Sequence, residues 1–289
     1  MPINLTEEQL EKLHRIAVTI AEFEEAPSVK GQTAGQARGG RMFESRVEAG
    51  ILDFVDLATQ LPYFTKATVK TSNKRRAVKN AIALQIKDAS QSKDKAVVFC
   101  FGSALSKSIQ NSQHSIVVDD ECLRKSYKVS DWCDSKLPDV TSKGWIPTAQ
   151  DKYATQYYDT NYKQIYSEFS TAFDGTILLM KDSELYKKYL IECKSAKSSD
   201  KNKIDGNAHE RFAYQTLEYL EICHLNPKTA FILMANEAFV KYRNKYHIGF
   251  CVHTLRLSSK FPNFSLDIIC TRSQYYCFFK SILDWMVEE

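Results

Sequence analysis

The sequence predicts a mixed α/β fold in which a central mixed β-sheet is flanked by helices. Three observations predict it. Short apolar runs of strand length stand at 95–102, 174–181, 188–194 and 229–235. Apolar residues recur at helical spacing over 6–24, 42–61 and 273–287. From residue 188 the order is strand, loop, helix, strand, which is the order of a crossover between neighbouring strands. The 289 residues suit one domain with a substantial core, made of an N-terminal helical part (about 1–90) and a core (about 95–289). No internal repeat or linker divides the chain.

The elements follow in order. Thr6 can cap a helix over 6–24, with Gln9 three residues on, Glu7 and Glu8 in the first turn, and Leu10, Leu13, Ala17 and Ile20 on one face. Residues 27–41 hold four glycines and three basic residues, the composition of a loop and of an arm that could fold around a ligand. A second helix fits 42–61, where Phe43, Val47, Ile51, Phe54, Val55 and Ala58 form a stripe, and a third is expected over 74–89. KAVVFCFG (95–102) is a buried strand. Residues 103–170 are polar and tyrosine-rich and are expected to be loops with short helices. Strands then fit 174–181 and 188–194, with a turn at 181–184 between them. A loop (195–206), a helix (207–225), strands at 229–235 and 247–255, and a closing helix (273–287) complete the chain.

Composition narrows the function classes. Apolar content of 44% and charged content of 26% are those of a globular protein in water. No run approaches the roughly 20 apolar residues of a membrane helix. The first residues lack the basic and apolar regions of an export signal, so a cytoplasmic location is expected. The eight cysteines form no C-x-x-C pair and are expected to be reduced thiols. A net charge of +4 demands no nucleic-acid partner, so local clusters carry more information than the total. One such cluster is the loop with Lys197, Lys201 and Lys203.

The chemistry gathers around 174–211. Asp174 stands at the start of one strand, and Glu192 and Lys194 stand at the end of the next. A short connection can bring the two acids together at one sheet edge. The two-residue strand period puts Glu192 and Lys194 on one face, with Cys193 on the other. Two close carboxylates are costly unless a cation compensates them, and Mg²⁺ suits a few carboxylates, water and phosphate oxygens. A neighbouring lysine can then orient a water or steady charge on a phosphate under attack. Glu44 and Glu48, near the start of the second helix, read first as solvated helix acids.

At the head of the 207–225 helix, Asn207 and Glu210 can form a capping box, with Arg211 as a surface charge. The same side chains suit DNA. Asn can grip adenine with two hydrogen bonds, Arg can donate to purine N7, and Glu can accept from an exocyclic amine. The loop lysines would contact phosphates.

Asp174, seventeen residues, then Glu192-x-Lys194, resembles the catalytic core of the PD-(D/E)XK nucleases, with Phe173 in place of the frequent proline. Gly206-Asn207-Ala208-His209-Glu210-Arg211 is similar to the G-N-A-x-E-R recognition segment of the EcoRI/MunI-like type II restriction endonucleases. The resemblance covers roughly 170–240. It implies a restriction-endonuclease-like core acting on double-stranded DNA as a homodimer. Asp174 and Glu192 would bind Mg²⁺, with Glu44 as a further ligand, and Lys194 would position the attacking water. Asn207, Glu210 and Arg211 would read adenines, with Ala208 close to a base; Asp205 would either accept from a cytosine amino group at the outer base pair or read nothing, leaving a site of AATT alone. The resemblance further implies a palindrome containing AATT, 5′-phosphate ends with a 5′ overhang, and a host methyltransferase that is not a physical partner. A nonspecific repair nuclease with the same core and a non-catalytic DNA-binding protein are the alternatives.

Overall fold

The computed structural model describes residues 3–24, 35–71, 81–87, 95–102, 115–119, 124–128, 173–182, 184–195, 219, 222–223, 226–242 and 266–288. Helix α1 (Glu7–Ala21) begins with a complete capping box. Thr6 accepts from the Gln9 N–H, and the Gln9 side chain accepts from the Thr6 N–H. Helix α2 (Gly35–Thr59) starts earlier than the sequence suggests, taking in Gly35–Arg41 from the segment expected to be a loop. Gly39 and Gly40 each weaken a helix by about 1 kcal/mol relative to alanine. The 25-residue length offsets this, because its later turns bury Phe43, Val47, Ile51, Phe54, Val55 and Ala58.

The strands follow. They are β1 (Phe64–Thr71), β2 (Ala81–Ile86), β3 (Lys95–Phe101), β4 (Ser115–Asp119), β5 (Arg124–Lys128), β6 (Gly175–Lys181), β7 (Glu184–Lys194) and β8 (Thr229–Ala235). A short helix α3 (Glu237–Tyr242), strand β9 (Leu266–Ile269) and helix α4 (Arg272–Val287) complete the order. Three expectations are corrected. The helix placed at 74–89 is strand β2 over 81–86, because Ala83 and Leu84 are buried on opposite faces of a sheet, which demands a period of two. Among the described residues the N-terminal part to about 90 is therefore helical only to Thr59. Residues 103–170, expected to be loops and short helices, contribute β4 and β5. The strand expected at 247–255 lies outside the described residues, and β1, β9 and α3 were not anticipated.

The sheet order is β5-β4-β1-β2-β3-β6-β7-β8-β9. Its seven-strand run from β1 to β9 is mixed. Neighbours from β1 to β7 are antiparallel, while β7, β8 and β9 are parallel. The parallel β7–β8 pair, with helical residues at 219 and 222–223 between them, is the crossover the sequence predicts. β5 also meets the start of β7, Lys128 opposite Glu184, so the sheet curls back on itself at that end.

Helices α1, α2 and α4 cover one face of the sheet. Phe54 of α2 stacks on Phe279 of α4 at 4.8 Å and meets Phe99 of β3 edge-on at 6.2 Å. Gly50 lets α1 approach α2 closely, since a Cβ there would stand 2.5 Å from Ile20 Cδ1. The other face is apolar in two patches. One is formed by Val69, Val98, Leu178, Met180 and Leu185, and the other by Phe173, Leu190, Tyr219, Ile222, Cys223 and Phe231. Burying both faces explains why β3 and β8 read as unbroken apolar runs. The buried Lys95 ammonium donates to the carbonyls of Trp285 and Glu288, both at 2.6 Å, and ties the end of α4 to β3. Cys100, Cys193, Cys223, Cys270 and Cys277 are free thiols. Among the described residues no helix is long and apolar enough to cross a membrane.

Candidate active site

The turn between β6 and β7 brings Asp174 and Glu192 together. Gly175 pairs with Ile191, so the next step of the antiparallel register sets Asp174 opposite Glu192 at the end of the ladder. The Asp174 N–H donates to the Ile191 carbonyl at 3.0 Å. The Asp174 carbonyl accepts from the Gly102 N–H at 3.1 Å, which ties it to the end of β3. Asp174 then completes the ladder with its side chain, for Oδ2 accepts from the Cys193 N–H at 2.8 Å. That bond fixes the carboxylate across the strand end.

Strand alternation divides β7 by face. Ile191 and Cys193 join the core beneath α1, α2 and α4, while Leu190 joins the aromatic patch on the other side. Glu192 and Lys194 follow the parity of Leu190. Their side chains form an ion pair, Lys194 Nζ to Glu192 Oε1. The Glu192 side chain is only 13% exposed, so its charge is little screened by water.

From the other side comes α2. A narrow cleft of ≈ 70 Å³ is lined by Glu44, Ser45 and Glu48 of α2 with Gly102, Asp174 and Cys193. α2 packs on β7. The burial of Val47 and Ile51 sets its rotation, which turns Glu44 and Glu48 toward the strand ends.

The electrostatics link these groups. Burial pushes the Asp174 carboxyl up to about 7, and the charges of Glu192 and then Glu44 add to the rise, against the Cys193 N–H and Lys194. Glu44 is also raised, first by burial, with Glu192 adding to it and Lys194 and Arg41 opposing it. Burial works against the Lys194 ammonium, but Glu192's charge and hydrogen bond, supported by Asp174, outweigh it and raise its pKa. Glu48 is raised by burial alone. Three carboxylates and one ammonium therefore lie within each other's fields, with the acids in excess.

Of the residues singled out in the sequence, Asp174, Glu192 and Lys194 meet at the strand ends, and Glu44 and Glu48 share the cleft with Asp174. Asn207, Ala208, Glu210, Arg211, Lys197, Lys201, Lys203 and Asp205 lie outside the described residues. Among the described residues no group of three or more His, Cys, Asp or Glu side chains gathers closely enough to hold a metal ion. Sequence reasoning missed Ser45 and the Cys193 N–H. Ser45 stands one helical turn before Glu48, a spacing that could have pointed to it, but a backbone donor leaves no mark in a sequence. Comparison of the chain with protein-family models, with curated proteins and with solved structures finds no match in any of the three.

Proposed function

We propose that this chain is a Mg²⁺-dependent endonuclease with a restriction-endonuclease-like core, acting on double-stranded DNA as a type II restriction enzyme. The observation that carries the reading is the meeting of Asp174 and Glu192 at the end of the β6–β7 ladder, with Lys194 paired to Glu192 and Glu44 of α2 sharing a cleft with Asp174. Excess carboxylate held partly out of water is unfavourable alone and suits a hard divalent cation. Asp174 and Glu192 would hold that ion, with water and phosphate oxygens as its remaining ligands. Bound there, Mg²⁺ supplies Lewis-acid polarisation of a phosphoryl oxygen and lowers the pKa of water. The donor set offers oxygen ligands alone, which fits magnesium better than zinc.

The chain's own residues perform the remaining tasks. The Cys193 N–H holds the Asp174 carboxylate in a fixed orientation. Lys194, kept protonated by Glu192, is a donor that can orient an attacking water and stabilise charge growing on the phosphate. Hydrolysis adds water across the P–O3′ bond. The phosphorus keeps the new oxygen as a 5′-phosphate, and the leaving oxygen takes a proton to become a 3′-hydroxyl. By the sequence resemblance, a homodimer would cut a palindrome containing AATT and leave a 5′ overhang. Asn207, Ala208, Glu210 and Arg211 would read the bases, with Asp205 at the outer pair and Lys197, Lys201 and Lys203 on phosphates.

A second reading has one observation in its favour. Lys194 already satisfies Glu192 in an ion pair, which is also what a non-catalytic DNA-binding protein would hold. Incubating the protein with plasmid DNA and Mg²⁺ separates the readings. Discrete fragments are expected, and the sequence at their ends gives the site. A smear indicates a nonspecific nuclease, and intact plasmid the binding protein. Glu192→Ala is expected to lower the cleavage rate by at least about 10²-fold while DNA binding persists. Cleavage at the wild-type rate by that variant would remove Glu192 from the chemistry.

A further inference from the structure

Beside the acid cleft lies a second concavity, a wider trough of ≈ 390 Å³ lined by Phe23, Arg41, Met42, Ser45, Arg46 and Ala49. We infer that this trough is a phosphate-binding subsite, in which Arg41 and Arg46 hold the backbone of the DNA strand that runs through the neighbouring cleft. The inference rests on the nuclease reading and assigns residues that reading does not use.

The helical period creates the arrangement. At 3.6 residues per turn, Arg41, Glu44, Ser45 and Glu48 share one side of α2, and Met42, Arg46 and Ala49 share the side next to it. Glu44 and Glu48 line the cleft, and Arg46 lines the trough. Ser45 lines both, so the two concavities adjoin along α2. The Arg41 charge reaches across the boundary, because it acts on the Glu44 carboxyl.

Charge complementarity identifies the occupant. Among the described residues neither Arg41 nor Arg46 forms an ion pair, although Glu44 stands one turn from Arg41. The floor is apolar, made by Phe23, Met42 and Ala49, and Met42 is 43% exposed. Two guanidinium groups that pair with no acid among the described residues, over an apolar floor, suit a planar, bidentate grip on phosphate oxygens beside sugar carbons. The acid cleft needs a cation before it can accept a phosphodiester, whereas the trough attracts the same polymer without one. The strand would therefore enter over Arg41 and Arg46 and present its next linkage to Asp174 and Glu192. Such contacts fix position and carry no sequence information.

The test is the salt dependence of DNA binding in EDTA, followed by fluorescence anisotropy with a duplex containing AATT. Each phosphate contact contributes about −0.9 to the slope of log K against log[salt]. Arg41→Gln and Arg46→Gln are each expected to reduce the slope by about 1, and the double variant by about 2. The control Arg15→Gln, on α1, removes the same charge and is expected to leave the slope unchanged. With Mg²⁺ added, the double variant is expected to raise KM at least about tenfold while kcat stays within about twofold. A double variant with the wild-type slope, in a protein that binds and cuts DNA, overturns the subsite and leaves the proposed function intact. A wild-type protein that neither binds nor cuts DNA removes both.

Discussion

Asp174 is the residue whose environment is least favourable to its own charge. Its carboxylate is crowded by burial, by Glu192 and by Glu44, and only one backbone N–H and one ammonium oppose them. Its pKa rises from the usual 3.8 to about 7 in the folded chain. Between those values the folded state keeps a proton that the unfolded state has released, so metal-free stability falls as pH rises from about 4 and the loss is complete above about 7. Asp174→Asn keeps an oxygen for the Cys193 N–H and removes the charge. In EDTA above pH 7 the variant is expected to be more stable than the parent by on the order of 2 kcal/mol, and below pH 4 the difference is expected to vanish. Urea melts at the two pH values check this, and an equal difference at both would show that the charge is not the cause. The sequence made Asp174, Glu192 and Lys194 legible because strand parity and a short connection are properties of spacing. It left Glu44 open, because only the rotation of α2 on the sheet decides where a helix acid points.

At the scale of elements, α2 is the piece that brings acids to the strand ends, and its seat depends on α1. Gly50 is a point of close approach between them, with Ile20 Cδ1 and Cγ1 at 2.5 and 2.8 Å from where a Cβ would stand. Gly50→Ala gains up to about 1 kcal/mol of helix propensity but drives a methyl into a filled core, at about 1–3 kcal/mol. The net expectation is a loss of about 1 kcal/mol in chemical denaturation. In an Ile20→Ala background, where the obstructing atoms are gone, the same substitution is expected to be neutral or stabilising. If the loss is the same in both backgrounds, the α1–α2 contact is not its source. Capping chemistry made the start of α1 readable and the 3.6 period gave α4 to within a residue, whereas α1 ends at Ala21, short of the expected 24. β2 was misread because AIALQI is short and apolar on both faces, so its periodicity does not separate strand from helix. The early start of α2 went against its glycine content, an instance of packing by the later turns overriding local propensity.

At the scale of the whole molecule, the mixed sheet divides into an antiparallel run and a parallel one, and β7 belongs to both. The crossover from β7 to β8 was legible, since an apolar run, a helix and a second apolar run leave few other solutions. The curl that carries β5 to the start of β7 was not, because no local pattern encodes which distant edges will meet. The division also sets an order of events in time. β6 and β7 are joined by a tight turn at Lys181 and Asp182, the latter in the left-handed region at φ 52, so their hairpin closes a very small loop. β8 must wait for a long excursion to return before it can pair with β7. The amides of Leu178–Lys181 and Leu185–Lys188 are thus expected to gain protection in pulse-labelled refolding before those of Phe231–Ala235. Simultaneous protection of both sets would show that the sheet condenses as one nucleus. On the expected schedule the nascent chain brings its two acids face to face while that end of the sheet still lies open to water, and their mutual repulsion is felt in full only when the later strands arrive to shut the solvent out.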